Sequence, residues 1–183
     1  WEARKTKVRD SLLSMAQELL RVASKRELAE RPPYPPPGEL CEAFEARFPY
    51  QETPDQLQAI VAVHEDLSGD APMDRLLCGD VGFGKTEVAI RAAFKAAEFG
   101  KQVAVLVPTT VLAEQHERTF RSRFKAYPFR IESISRFKSG ADEKKVLVDL
   151  KEGRVDIVIG THRLLSKDVW FKDLGLIVID EEQ

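Results

Sequence analysis

The stretch Gly79-Asp80-Val81-Gly82-Phe83-Gly84-Lys85-Thr86 decides the fold of this chain. It matches the pattern G-x-x-x-x-G-K-[ST], in which a glycine-rich loop presents backbone N–H groups to phosphate oxygens. The glycines permit backbone conformations that side chains forbid, and the helix expected to begin near Lys85 adds the positive end of its dipole. The pattern therefore predicts a phosphate-binding loop, with all eight residues as ligand contacts, between a strand and a helix.

The two residues that close this loop carry distinct chemistry. Lys85 is predicted to reach the β- and γ-phosphates of a bound triphosphate as a point charge, and the Thr86 hydroxyl to complete the coordination of Mg²⁺. The segment that follows, residues 88–97, is mostly alanine, valine, isoleucine and phenylalanine. It is therefore predicted to form a buried helix.

A second stretch places acids directly after an apolar strand. It reads Leu176-Ile177-Val178-Ile179-Asp180-Glu181-Glu182-Gln183. Asp180 is predicted to hold Mg²⁺ through water, and Glu181 to orient and deprotonate the attacking water. The predicted catalytic set is therefore Lys85, Asp180 and Glu181, with Thr86 and Asp180 at the metal.

Apolar runs recur along the chain with helical stretches between most of them. They cover residues 75–78, 102–107, 130–134, 156–159 and 174–179. The runs 157–159 and 176–179 are β-branched at nearly every position, which is typical of strands covered on both faces. The pattern predicts an α/β domain with a mostly parallel sheet.

The segment before this domain has a different character. Residues 1–30 are predicted to form a long amphipathic helix with an apolar stripe made of Val8, Leu12, Met15, Leu19 and Val22. Residues 31–38 contain five prolines and predict a semi-rigid linker. The stripe needs an apolar surface, either on the domain that follows, residues 39–183, or on a partner.

The start of the main domain shows two shorter helical signals. Residues 39–47 predict a short helix, and Thr53, Pro54 and Gln56 occupy the N-cap, first-turn and N3 positions of a capping box. A helix is therefore predicted from Pro54 to about Leu67.

Composition and charge exclude several classes of protein. Twenty-eight basic against 30 acidic residues leave a net charge of −2, so any polyanion must be bound locally. No stretch of eighteen apolar residues occurs, and the first residues carry no apolar signal core, which predicts a cytoplasmic protein without a membrane span. The two cysteines and three histidines lack the spacing of metal ligands. Because the chain opens on Trp1 and closes just after a strand, we expect a fragment of a longer protein.

These motifs together resemble the first RecA-like motor domain of superfamily 2 helicases and translocases. Segments 73–89, 108–116 and 171–182 more closely resemble the family of bacterial transcription-repair coupling factors; RecG helicases match less completely. The resemblance implies an ATP-driven translocase on double-stranded DNA that displaces stalled RNA polymerase and recruits excision-repair proteins. It also implies a second RecA-like domain beyond residue 183, so the isolated chain is expected to be nearly inactive.

The resemblance assigns further residues by matching position. Gln56 is implied to read the adenine edge and Phe48 to pack on the base. Three loops after strands are implied to bind DNA phosphates without reading bases. Their residues are Pro108, Thr109 and Thr110, then Arg136, then Gly160, Thr161, His162 and Arg163.

Two alternatives remain open at this point. One is a fork-remodelling helicase similar to RecG. The other is a docking platform for polymerase or repair proteins in which the nucleotide site is idle.

Overall fold

The computed structural model of the protein describes residues 2–80, 82–134 and 140–180. The helices are α1 (Glu2–Glu27), α2 (Glu39–Ala46), α3 (Pro54–Ser68), α4 (Lys85–Glu98), α5 (Thr110–Phe124) and α6 (Gly140–Lys151). The strands are β1 (Gln102–Leu106), β2 (Ile131–Ile134), β3 (Ile157–Gly160) and β4 (Leu174–Ile179), with a turn of 3₁₀-helix at His162–Leu165. The predicted boundaries of α2, α3 and all four strands agree within one residue.

The described strands form one sheet in the order β2-β3-β1-β4. Every neighbouring pair is parallel, and the register aligns Ile134, Gly160, Leu106 and Ile179 in one row. The predicted α/β class with a parallel sheet is confirmed. Since all four strands run the same way, the loops that follow them emerge at one edge of the sheet.

Apolar side chains cover both faces of the central strands. Val103 and Val105 of β1 face a cluster with α4 and α5, whereas Ala104 and Leu106 pack in a second cluster with α6. All four residues of β3 are buried. The prediction that α4 is a buried helix is confirmed, because its residues from 87 to 97 are buried, apart from Ala89, which is half-buried. The loop before α4 is therefore anchored by the core.

Two strand predictions were wrong at the outer side of β4. Residues 75–78 form no strand, and β4 is half open to solvent, with Ile177 56% exposed. A groove of about 840 Å³ lies between residues 72–77 and β4. The groove explains both errors: a strand exists only with a hydrogen-bonded neighbour, and no backbone ladder bridges this gap between the described segments.

The segments before the domain differ in how they attach to it. The side chains of α1 from Arg4 onward are exposed, Leu19 by 66%, and Arg26 pairs with Asp74. Its apolar stripe thus lies uncovered instead of packing on the domain. The proline-rich linker, by contrast, is tied down by Tyr34, which is 4% exposed and donates its hydroxyl to the Gly175 carbonyl at 3.0 Å. In the described part of the chain, no helix is both long and apolar enough to span a bilayer.

Candidate nucleotide and metal site

The glycine-rich loop has the backbone shape that its sequence predicts. Gly82 and Gly84 adopt left-handed conformations, with φ of 87° and 73°. Gly84 is the N-cap of α4, and no side chain caps the first turn of that helix. Glu87 N–H donates to the Gly84 carbonyl at 3.0 Å, and the amides that precede it at the start of the helix are positioned to donate to a phosphate. Val81 lies outside the described residues.

Lys85 folds back onto the loop that precedes it. Its Nζ donates to the carbonyl oxygens of Gly79 at 2.5 Å and Asp80 at 2.9 Å. These contacts hold the loop around the ammonium group. When a phosphate enters the loop, its oxygens have to replace the two carbonyl oxygens as acceptors for Lys85 Nζ. Phosphate oxygens carry more negative charge, so they are the stronger acceptors.

Gln56 joins α3 to the same loop. The predicted capping box is confirmed: Thr53 N–H donates to Gln56 Oε1 at 2.8 Å, and Gln56 N–H donates to the Thr53 hydroxyl at 3.2 Å. The other end of the amide, Nε2, donates to the Phe83 carbonyl at 2.7 Å. A cavity of about 240 Å³ lies beside Gln56, Gly79, Asp80 and Lys85. The reading of an adenine edge by Gln56 remains a prediction, since both ends of the Gln56 amide already bind the protein.

Phe48 lies away from this cavity among charged groups. The guanidinium groups of Arg91 and Arg123 each lie 5.4 Å from the centre of its ring, and the Tyr50 ring lies 5.5 Å away. Phe48 is not among the described residues that line the cavity. Its contact with an adenine base is therefore a prediction that requires the 48–52 segment to move.

Asp180 follows β4 directly at the edge of the sheet. Its N–H donates to the Leu106 carbonyl at 2.9 Å, and its carboxylate Oδ2 lies 2.7 Å from Nε2 of His116. Lys85, Thr86 and Asp180 all line the 840 Å³ groove, together with His116. The structure thus brings the end of the loop and the acid of the second motif to one space. Glu181 lies outside the described residues.

The oxygen groups at this place suit Mg²⁺. The Thr86 hydroxyl and the Asp180 carboxylate are hard oxygen donors, and Mg²⁺ is commonly held by one or two such groups plus phosphates and water. Among the described residues, no cluster of three or more histidine, cysteine or acidic side chains could hold a metal by itself. The donor set therefore fits a cation that arrives with a nucleotide.

The predicted DNA loops emerge from the aligned row of strand ends. Thr109 caps α5, with its hydroxyl accepting from Leu112 N–H at 3.2 Å, and Thr110 is the first residue of that helix. Pro108 is exposed, Gly160 ends β3, and Thr161 and His162 follow it with His162 exposed. The structure places these two loops on the same edge as Asp180.

The structure describes one of the two predicted DNA-binding arginines, Arg163. Arg163 makes a two-pronged bond to Asp168 at 2.7 and 2.6 Å and another to Glu143 at 2.8 Å. The hydrogen bonds that Arg163 donates to the Asp168 carboxylate raise the pKa of Arg163 further above its ordinary value. Binding a phosphate would therefore mean competing with two carboxylates. Arg136 lies outside the described residues.

A buried charged stripe on α4 escaped prediction. Glu87, Arg91 and Lys95 recur every four residues in an otherwise apolar helix, and all three are buried. Arg91 binds Glu87 at 3.1 Å and also Glu52, next to the Thr53 cap. Arg123 binds Glu87 at 2.7 Å. The spacing of four was the available signal, because it places the three charges on one helix face.

His64 on α3 lies against this stripe as a neutral ring. Burial, and then the charges of Lys95 and Arg91, lower the pKa of His64 to about 4. Its Nε2 lies 3.7 Å from a carboxylate oxygen of Glu45. Because the ring is neutral at neutral pH, this contact is not an ion pair there. His64 therefore takes up a proton near pH 6.5 in the unfolded chain but only near pH 4 in the folded chain.

We therefore expect stability to fall as the pH drops from 6.5 towards 4. The contribution of His64 to the free energy of unfolding is fully present above pH 6.5. It falls by roughly 1–3 kcal/mol as the pH drops from 6.5 to 4. His64→Gln, which cannot take up a proton, should lose less of its free energy of unfolding between pH 7 and pH 4.5 in urea titrations. An equal loss in the variant and the parent would contradict this account of His64.

Gly84 offers a sharp test of the loop geometry. A Cβ at this position would overlap the amide nitrogen of Gln56, in addition to the strain of a positive φ. Gly84→Ala is expected to weaken Mg·ATP binding at least about tenfold, measured by isothermal calorimetry. The matched control is Gly100→Ala, where φ is 74° but no atom lies within 4 Å. It should lose about 1 kcal/mol of stability and keep its nucleotide affinity; equal affinities in the two variants would refute the role of this contact.

Comparisons with known proteins identify the family and the fold that the chain resembles. The family model described as DEAD/DEAH box helicase matches residues 53–183. Transcription-repair-coupling factors of Bacillus subtilis (strain 168) and Myxococcus xanthus are 54% and 53% identical over 100% of this chain, which covers 16% and 15% of their lengths. A solved structure of RecG bound to a three-way DNA junction is 37% identical, with a TM-score of 0.82, over 88% of this chain and 22% of the RecG chain. The chain thus spans about a sixth of the curated relatives.

Proposed function

This chain belongs to the DEAD/DEAH box helicase family, and from that membership we propose that it is the ATP-binding half of a double-stranded DNA translocase. The intact protein is proposed to couple ATP hydrolysis to movement on DNA and to displace stalled RNA polymerase during DNA repair. The proposal includes a second RecA-like domain in that longer protein. Identity of 51–54% to coupling factors over the whole chain, against 37% to RecG, favours this function over fork remodelling.

One observation carries the proposal: Lys85, Thr86 and Asp180 line the same groove. Lys85 and Asp180 are 95 positions apart in the sequence, and the parallel sheet brings them together. Lys85 also lines the neighbouring 240 Å³ cavity beside Gln56. A triphosphate on the loop could therefore lie between the Gln56 cavity and the carboxylate.

The residues divide the proposed work by chemistry. The loop amides and the dipole of α4 bind phosphate oxygens, while Lys85 stabilises the negative charge that develops during phosphoryl transfer. Thr86 and Asp180 would hold Mg²⁺, which when bound supplies neutralising charge at the β- and γ-phosphates. Glu181 is proposed to orient the attacking water and accept its proton.

DNA is proposed to bind along the row of strand ends. The N-terminus of α5 with Thr109 and Thr110, and the loop with Thr161 and His162, present amides and hydroxyls suited to phosphates. Such contacts carry no base preference, so binding should be independent of sequence and weaken steeply with salt. Arg136 and Arg163 are proposed as further phosphate contacts, Arg163 after release from Asp168.

The partners of the longer protein follow from the same proposal. RNA polymerase and excision-repair proteins are proposed to bind other parts of that protein. The exposed stripe of α1 favours a second candidate, a docking platform with an idle nucleotide site, because apolar side chains such as Leu19 lie uncovered.

Nucleotide titration of the 183-residue chain separates the two candidates. A ligand that binds only the folded state raises stability by about 1.4 kcal/mol at ten times its dissociation constant. We expect the thermal midpoint to rise by several degrees as Mg·ATP is added, with negligible turnover, since the proposed second RecA-like domain is expected to supply an arginine to the γ-phosphate. An unchanged midpoint at millimolar Mg·ATP would favour the platform.

A further inference from the structure

His116 is a buried histidine whose polar contact is with the second motif. It lies on α5, is 8% exposed, and its Nε2 is 2.7 Å from Oδ2 of Asp180. Its other ring nitrogen, Nδ1, is buried without a hydrogen-bond partner. The ring packs beside Phe120, with 6.3 Å between the ring centres.

The chemistry of this pair fixes the direction of the bond. An ionised carboxylate only accepts, so Nε2 must carry the proton and donate it to Oδ2. Leaving Nδ1 buried and unpaired is unfavourable by about 1–3 kcal/mol, which an apolar side chain would avoid. The contact with Asp180 is thus the hydrogen bond that a histidine gains at this position, and Oδ1 of Asp180 takes no part in it.

The helix that carries His116 also carries the proposed DNA contacts. Thr109 caps α5 and Thr110 begins it, six residues before His116. Six residues of helix span about 9 Å, and continuous i→i−4 hydrogen bonds link the two positions. A phosphate bound at the N-terminus of α5 is therefore mechanically connected to the Asp180 carboxylate through one side chain.

We propose that His116 is a positioning residue that couples DNA bound at the start of α5 to the carboxylate that holds the metal. This rests on the proposed function. In the absence of DNA, the position of Asp180 follows α5 through the His116 bond; DNA that shifts α5 shifts the carboxylate relative to Thr86. Because binding couplings are reciprocal, DNA then changes the affinity for Mg·nucleotide, and the nucleotide changes the affinity for DNA by the same factor.

The test measures binding, not turnover, in the full-length protein that carries this chain. The dissociation constant of a fluorescent, non-hydrolysable ATP analogue is measured with and without a saturating 40-base-pair duplex, in Mg²⁺ and in EDTA. The parent should show a DNA effect of at least about fivefold in Mg²⁺ and almost none in EDTA. His116→Ala should bring the effect in Mg²⁺ to within about twofold of unity while leaving the affinity for the duplex alone unchanged.

A pair of conservative variants separates positioning from packing. Gln can place its Nε2 where the histidine has its own, whereas Asn is too short. His116→Gln is therefore expected to keep most of the coupling, and His116→Asn to lose it at similar thermal stability. Wild-type coupling in His116→Ala, equal coupling in the Gln and Asn variants, or coupling that persists in EDTA would overturn the inference.

The proposed function fails in a different way. A parent protein whose nucleotide and DNA sites are coupled, with that coupling unchanged in His116→Ala, contradicts the role of His116 and leaves the translocase proposal intact. A parent protein that binds neither Mg·nucleotide nor duplex overturns both.

Discussion

Lys85→Ala in the full-length protein is expected to lower DNA-stimulated ATP hydrolysis by at least about 100-fold. Lys85 Nζ already lies at the mouth of the loop, bound to the Gly79 and Asp80 carbonyls. Removing it takes away a positive charge where negative charge develops in the transition state. The effect should appear mainly in kcat, since loop amides still bind the ground-state phosphates.

The matched control is Lys125→Ala, because Lys125 is an exposed lysine at the end of α5. It should keep the parental rate within about twofold. Steady-state hydrolysis with a saturating duplex measures both variants. Parental turnover in Lys85→Ala would remove Lys85 from the catalytic set and, with it, the phosphate-binding interpretation of the loop.

Arg91→Met is expected to lower the free energy of unfolding by about 3–5 kcal/mol. Arg91 is 2% exposed and binds both Glu87 and Glu52. Methionine fills much of the volume, but it removes the arginine partner of Glu52 and leaves Glu87 with Arg123 alone. Stranding buried charge in this way is more destabilising than never having buried it.

A surface pair on α5 provides the comparison for Arg91. Arg121→Met removes a bond of 2.8 Å to Glu117, four residues earlier, from a side chain that is about half exposed. Exposed pairs of this spacing are worth only about 0.3–0.5 kcal/mol. Urea unfolding of both variants measures the difference. A loss below 1 kcal/mol for Arg91→Met would show that water screens the stripe on α4.

The parts of the site that were predicted well depend on neighbours in the sequence. The loop from Gly79 to Thr86 and the capping box of Thr53 and Gln56 are local patterns, in which each residue acts on atoms a few positions away. A glycine that must adopt a positive φ, or an N-cap hydroxyl, carries its reason in its own chemistry. Such features are readable from a single sequence.

The wrong strand predictions concern neighbours in space. Residues 75–78 and β4 both have the composition of buried strands, yet the first forms no strand and the second has an open side. Composition reports how apolar a segment is, whereas a strand also requires a partner backbone at about 4.8 Å. A sequence pattern does not state which segment supplies that partner.

Contacts between side chains that are far apart in the sequence likewise could not be predicted from local patterns. The amide of Gln56, which is predicted to read an adenine edge, also meets the Phe83 carbonyl of the loop, and no local pattern indicates this contact. The bond between His116 and Asp180 joins two residues 64 positions apart in the chain. Geometry of this kind is created by the parallel sheet, which brings α5 and the end of β4 together.

The loop amides and Asp180 are proposed to face each other across a single Mg·nucleotide. A crystal structure of this chain with Mn²⁺ and a non-hydrolysable ATP analogue tests it directly, because the anomalous signal of manganese locates the cation. We expect the metal on the Thr86 hydroxyl and the phosphates, within one water of the Asp180 carboxylate. A nucleotide bound elsewhere, or a metal with no link to Asp180, would contradict the claim.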